Sequence, residues 1–188
     1  MMVIMRYPEG HKEAVRARIV EAAARALRRD GINGVSIPAL MKDVGLTHGG
    51  FYAHFQDRDE LVAEAVETAA EHTAKDVFGD GIPLEEALAR YLSPDHLGAP
   101  AHGCVVAALG TEGARLAGPV GGAFSKAARG LLALVEKKLH PGARAKVPTD
   151  EALRMAATMV GAVLLGRLVD DDALAARLLR AARRATPG

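Results

Sequence analysis

The sequence predicts an all-α protein. Ala, Leu and Arg, all strong helix formers, dominate the chain. Runs of β-branched residues that would mark strands are scarce, and aromatic residues make up only 4% with no tryptophan. Apolar residues recur at helical spacing along most of the length. With 188 residues and 49% hydrophobic content, the chain can bury a sizeable core. A small head on a larger body suits that length better than two independent domains.

The first helix is expected from about Lys12 to Asp30, with Val15, Ile19, Ala22, Ala23, Ala26 and Leu27 on one face. Arg16, Arg25, Arg28 and Arg29 lie elsewhere on it. Gly31 follows as a left-handed C-cap, and Asn33-Gly34 continues the turn. Ser36 caps a short second helix carrying Ile37, Leu40, Met41 and Val44, with Pro38 in its first turn, where a missing N–H costs nothing. Gly45 stops that helix. Thr47 caps a third short helix through Phe51, Tyr52 and Phe55.

Asp57 opens a fourth helix and forms a capping-box pair with Glu60. Its apolar stripe is Leu61, Ala65, Val66, Ala69, Thr73 and Val77, ending near Phe78, where Gly79-Asp80-Gly81 breaks it. Pro83 starts a shorter helix through Leu84, Ala87, Leu88 and Tyr91. Ser93 to Gly103, with two Pro and two Gly, is read as the longest irregular stretch. A helix from about Cys104 to Leu116 follows, then one from Val120 to about Leu139, then one from Asp150 to Leu168 that is apolar almost all round. Asp170-Asp171-Asp172 and the pair Arg183-Arg184 suit the two ends of a last helix.

Net charge is only +1, but it is unevenly distributed. Residues 1–58 are net +3, residues 59–100 net −8 and residues 101–188 net +6. A mildly basic start beside an acidic stretch is compatible with a DNA-facing N-terminus, and equally with solvated helix faces. The single cysteine, Cys104, excludes an internal disulfide and fits a reducing cytoplasm. Met1 to Arg6 lacks the apolar run of a signal peptide, and no stretch is long and apolar enough to span a membrane. Met1, Met2 and Met5 are alternative starts.

Two short helices joined by a glycine turn, Ile37–Val44 and Thr47–Phe55, have a helix-turn-helix layout. Gly45 suits the left-handed turn, and Leu40, Val44, Leu46 and Phe51 are spaced to pin the two helices together. Thr47, His48, Gly49 and Gly50 then stand at the end that meets base edges in a major groove. Gly49 and Gly50 remove side-chain bulk; they also weaken helix propensity, so a simple loop is the competing reading. Tyr52, His54 and Arg58 can reach phosphates.

The stretch GINGVSIPALMKDVGLTHGGFYAHFQDRDE, Gly31 to Glu60, resembles the DNA-binding head of the TetR family of transcriptional regulators. HKEAVRARIVEAAARALRRDG is similar to that family's first helix. GCVVAALGTEGARL and GAVLLGRLVDDDAL extend the likeness more weakly into the body. The resemblance implies base-reading roles for Thr47, His48, Gly49 and Gly50, phosphate contacts for Tyr52 and His54, and a capping and phosphate role for Ser36. Arg58 stands where the family usually has Lys. Met41 replaces a usual Ala, and His48-Gly49-Gly50 replaces the commoner Lys-Gly-Thr, so an operator cannot be borrowed from other members.

The resemblance further implies a DNA-binding domain over 1–56 and a ligand-binding, dimerising domain over 57–188. The partners expected are double-stranded DNA with a palindromic operator, a second copy of the chain, and a small apolar or amphipathic effector, with no cofactor, metal or membrane. Pocket walls are expected from Phe78, Tyr91, Cys104, Leu109, Met155 and Met159. The homodimer interface is expected from Phe124, Ala127, Leu131, Leu134, Val160, Val163 and Leu164. Control by repression is expected, with activation or a non-DNA-binding interaction module as alternatives. No nucleophile elbow, phosphate loop or metal spacing points to an enzyme.

Overall fold

The computed structural model describes residues 10–142 and 147–185. The alternative starts and the segment Met1–Arg6 lie outside the described residues. Those residues form helices and loops, with no strand among them. The α-helices are α1 (His11–Asp30), α2 (Ile37–Asp43), α3 (Arg58–Asp76), α4 (Leu84–Tyr91), α5 (Pro94–Gly98), α6 (Val105–Gly113), α7 (Gly118–Leu139), α8 (Asp150–Leu168) and α9 (Asp172–Ala185). The expected third helix is instead a 3₁₀ segment, His48–Ala53, so the expected fourth helix is α3. Two adjacent glycines supply too little α-helical preference to close a full turn there.

Side-chain caps start several helices where the sequence asks for them. Ser36 accepts from the Ala39 N–H at 3.3 Å, and Thr149 from the Ala152 N–H at 3.3 Å. Asp57 accepts from the Glu60 N–H at 2.8 Å. Glu60 returns the bond to the Gln56 N–H at 2.6 Å, one residue before the usual capping-box donor. Asp171, the middle member of the acidic triplet, takes the N–H groups of Ala173 and Leu174 at 2.8 and 3.0 Å. Ser93 to Gly103 is not irregular. Ser93 caps α5 through the His96 N–H at 3.1 Å, and a 3₁₀ turn follows at Pro100–His102. Pro in each first turn hid these short elements among loop signals.

The core is built in two apolar clusters. The first runs from Val15 to Ala127 and joins α1, α2, the 3₁₀ segment, α3, α6 and α7, crossing residue 57 without a break. The second gathers Phe78, Tyr91, Met155, Met159 and Leu179 between α4, α7, α8 and α9. The most extensive contact is α3 along α7, followed by α1 on α3 and α8 on α9. Arg28, expected off the apolar face of α1, is only 3% exposed. It donates to the carbonyls of Ala24 and Gly103, at 2.9 Å each.

Where α6 crosses α7, the backbone of Gly113 lies against the Phe124 ring. A Cβ there would stand 2.4 Å from Phe124 Cγ. Gly122, inside α7, faces open space. Gly113→Ala is therefore expected to destabilise the fold by about 1–3 kcal/mol through overpacking. Gly122→Ala is expected to stabilise it by about 0.5–1 kcal/mol through helix propensity. Thermal unfolding at one fixed protein concentration measures both; equal shifts for the two variants would contradict this packing account.

Candidate nucleic-acid interface and body cavity

α2 and the 3₁₀ segment meet through a turn that the local sequence dictates. Gly45 has φ +75°, a conformation costly for any side chain. The Leu46 N–H returns to the Met41 carbonyl at 2.8 Å. Leu40, Met41 and Phe51 are fully buried, and Val44 and Leu46 are half-buried beneath the turn. Phe51 stacks on Phe55, with ring centres 5.3 Å apart. These contacts fix the short segment against α1 and α3.

The outward side of the segment carries most of the expected residues. Ser36, Thr47, His48, Gly49 and Tyr52 are exposed, and Gly50 is half-exposed. Tyr52 is 66% exposed, with its ring edge-on to Phe51 and to His48 at 5.2 and 6.1 Å between centres. The Thr47 side chain makes no capping bond, contrary to expectation, so its hydroxyl is uncommitted to the helix end. A Cβ added at Gly49 would meet nothing within 4 Å, and one at Gly50 would find only ordinary contacts at 3.7 Å. Neither glycine has a positive φ. The chain's own packing therefore does not require glycine at either position.

His54 and Arg58 sit differently. His54 is half-buried, with its Nδ1 buried and without a hydrogen-bond partner. Burial, and then Lys12 and Arg16, hold its imidazole below the usual histidine range, so the ring is neutral near neutral pH. The Arg58 guanidinium turns inward, donating to the Ile32 carbonyl and, at 3.4 Å, to the Val35 carbonyl. It braces the α1–α2 connection.

One residue outside the expected site organises this region. Arg16 pairs with Glu60 at 2.8 Å and with Glu64, donates to the His54 carbonyl at 3.2 Å, and lies 4.5 Å from the centre of the Phe55 ring. A lone Arg on a helix face gives no sequence signal for this. The clue was on α3, where Glu60 and Glu64 stand one turn apart.

A cavity of about 400 Å³ opens between α3 and α7, with the start of α6 at its floor. Of the six expected wall residues, only Cys104 lines it. Phe78, Tyr91, Met155 and Met159 are packed into the second apolar cluster, and Leu109 into the first. The walls are small instead, including Ala70, Ala74, Ala127, Gly130 and Ala133. Large side chains fill space; this opening exists where they are missing.

The expected interface residues are also redistributed. Phe124, Ala127 and Leu131 are buried because α7 turns its apolar face to the chain's own interior. Val163 is fully buried in the second cluster, while Leu134, Val160 and Leu164 are half-buried. The outward apolar strip runs along α8 instead, through Leu153, Ala157, Val160, Gly161, Leu164, Leu165 and Leu168. Leu165 and Leu168 are 51% and 73% exposed. Leu174, Leu178, Ala181 and Ala185 continue it on α9 at helical spacing.

The start of α6 and its end are both tied to the C-terminal end of α1. Arg28 holds the Gly103 carbonyl, and the Glu112 carboxylate accepts from the Ile32 N–H at 2.9 Å. Arg167 on α8 holds the carbonyls of His96 and Leu97 at 3.0 and 3.2 Å. His96 donates from Nδ1 to the Tyr91 carbonyl at 2.5 Å and accepts from the Cys104 N–H at 2.9 Å. Among the described residues no group of three or more His, Cys, Asp or Glu could hold a metal. No described helix is long and apolar enough to cross a membrane.

Residues 19–65 match the family model of bacterial regulatory proteins, tetR family. No curated protein matches the chain. Among solved structures, the reduced form of NemR from E. coli is similar at TM-score 0.71 and 22% identity, covering 93% of this chain and 99% of that one. A TetR-family transcriptional regulator from Agrobacterium tumefaciens is similar at TM-score 0.71 and 21% identity, over 95% and 100% of the two chains. AibR in complex with isovaleryl coenzyme A and operator DNA is similar at TM-score 0.63 and 16% identity, over 91% and 97%. At such identities the likeness is one of fold.

The inward Arg58 has a measurable consequence. Arg58→Ala is expected to lower stability by about 1–3 kcal/mol, because two backbone carbonyls lose a charged donor. Amide exchange in the 31–36 turn should speed up more than exchange in α8. Unchanged exchange in that turn would show that Arg58 does not brace it.

Proposed function

We propose that this chain, a TetR-family transcriptional regulator by its head and its fold, is a repressor that binds a palindromic operator as a dimer and is released by a small molecule. The observation that carries the reading is the exposed segment Thr47–Tyr52. Its two glycines answer to no contact within the chain. A surface that lacks side chains without internal need is suited to close approach by something outside, and a major-groove edge fits that need. In this reading Thr47 and His48 meet bases, while Ser36 and Tyr52 meet phosphates. His54 is a neutral donor or acceptor there, and Arg58 positions the α1–α2 turn.

The α8–α9 strip supports the dimer. So long a row of exposed leucines is costly on a monomer, and a two-fold copy covers it with the same strip. Such pairing sets two heads on one duplex. The cavity supports the effector, and AibR, with both a small molecule and operator DNA, is a precedent for the fold. Because α6 is tied to α1 at both ends, an occupant that moves the start of α6 also moves the head. The occupant lowers DNA affinity by its preference between the two arrangements. A cytoplasmic location accords with the single reduced cysteine. Activation in place of repression depends on where the operator lies at the promoter.

Anisotropy binding to sites selected from random DNA, across a salt series, is the direct test. Tight, sequence-preferring, salt-dependent binding of two subunits per site is expected. No binding even at low salt would sink the reading and favour an interaction module. Gly49→Ala is expected to keep or raise the melting temperature yet lose roughly tenfold or more in affinity for the selected site, or about 1.4 kcal/mol. Leu165→Glu is expected to give monomers in sedimentation, with a folded spectrum and weakened operator binding. A dimer that survives this change would move the interface elsewhere.

A further inference from the structure

The charge pattern along α3 bears on the cavity's occupant. Glu60, Glu64, Glu67 and Glu71 recur at intervals of four, three and four, so they form one line along the helix. The first two share Arg16 as their ion-pair partner. Glu67 is paired with Lys126 at 2.6 Å. Glu71, exposed at the cavity mouth, has no ion-pair partner among the described residues. Lys126 feels it electrostatically, but that ammonium sits on Glu67. The other mouth cation, Lys137, is held by Asp80 at 3.0 Å.

Below the mouth the walls offer little polarity. Ala70, Ala74, Ala127, Gly130 and Leu131 are apolar or lack a side chain. The Thr73 hydroxyl is turned back to its own helix, donating to the Ala69 carbonyl at 3.3 Å. A molecule seated here is met by hydrocarbon over its body and by one uncommitted carboxylate at its outer end.

We propose that the effector is an amphipathic cation, with an apolar body between α3 and α7 and an ammonium or comparable positive group at Glu71. This rests on the effector reading of the cavity given above. The charge is complementary to the one member of the glutamate line left without an ion-pair partner among the described residues. An anion would face Glu67 and Glu71 and would have to draw Lys126 or Lys137 from a carboxylate already in contact. Because Glu71 is exposed, its attraction is screened, so the preference for a cation weakens as salt rises.

Three probes with one apolar body and different charge test this: decylammonium, decanol and decanoate, each titrated calorimetrically into the full-length protein near neutral pH. Decylammonium is expected to bind about tenfold tighter than decanol, and decanoate no tighter than decanol. Glu71→Gln is expected to leave decanol binding and the melting temperature unchanged and to remove the cation preference. A preference that survives Glu71→Gln, or tightest binding by decanoate, overturns the proposal. If decanol binds and charge makes no difference, the charge assignment alone falls. If none of the three binds, the cavity is not an effector site and both readings fall.

Discussion

The structure depends on α3 being packed on two sides at once. This helix of 19 residues, about 28 Å long, is held against α1 on one flank and against α7 on the other. The α1 side is fixed partly by charge, through Arg16 on Glu60 and Glu64, and partly by the shared burial of Ile19, Ala23, Val62 and Val66. The α7 side is packed by Ala123, Phe124 and Ala127, but it opens further along into the cavity. The same helix thus supports the exposed 3₁₀ segment His48–Ala53 and forms a wall of the cavity.

Much of this was legible from residue spacing, because the long helices follow the apolar periodicity and two of them, α3 and α8, start at the capping residues Asp57 and Thr149. The Gly45 turn and its hydrophobic pins were legible for the same reason: a positive φ and a buried Leu or Phe leave local marks. The 3₁₀ form of His48–Ala53 was visible only as a warning in Gly49-Gly50. The inward paths of Arg28 and Arg58 left no mark at all. Both guanidiniums act on backbone carbonyls distant in sequence, at Gly103 for Arg28 and at Ile32 and Val35 for Arg58. A carbonyl has no residue-type signature, so such a bond cannot be read from the chain.

The expected pocket and interface residues share one assumption, that large apolar residues mark functional surfaces. Phe78, Tyr91, Met155 and Met159 are large and apolar because they fill the second cluster. The opening lies instead where α3 and α7 face each other largely through small residues, at Ala70, Ala74, Ala127, Gly130 and Ala133. On α8, apolar residues occur on every side, so periodicity alone could not separate the inward Met155, Met159 and Val163 from the outward Leu153, Leu165 and Leu168. The neighbour that covers each side decides the matter, and α9 covers only one.

The two ends of α6 explain how a small cavity could matter to a surface beyond it. Cys104 and Val105 form cavity wall at one end, and Glu112 holds the backbone of the α1–α2 turn at the other. Next to Glu112, Gly113 presses against Phe124, so this end of α6 is closely packed on α7. At its start, Arg28 clamps the Gly103 carbonyl from α1, and Arg167 clamps the preceding segment from α8. The helix at the cavity floor is therefore tied to α1 on one side and to α8, which carries the exposed leucines, on the other. A few polar links thus join the segment at the cavity floor both to α1, through Arg28, and to α8, through Arg167.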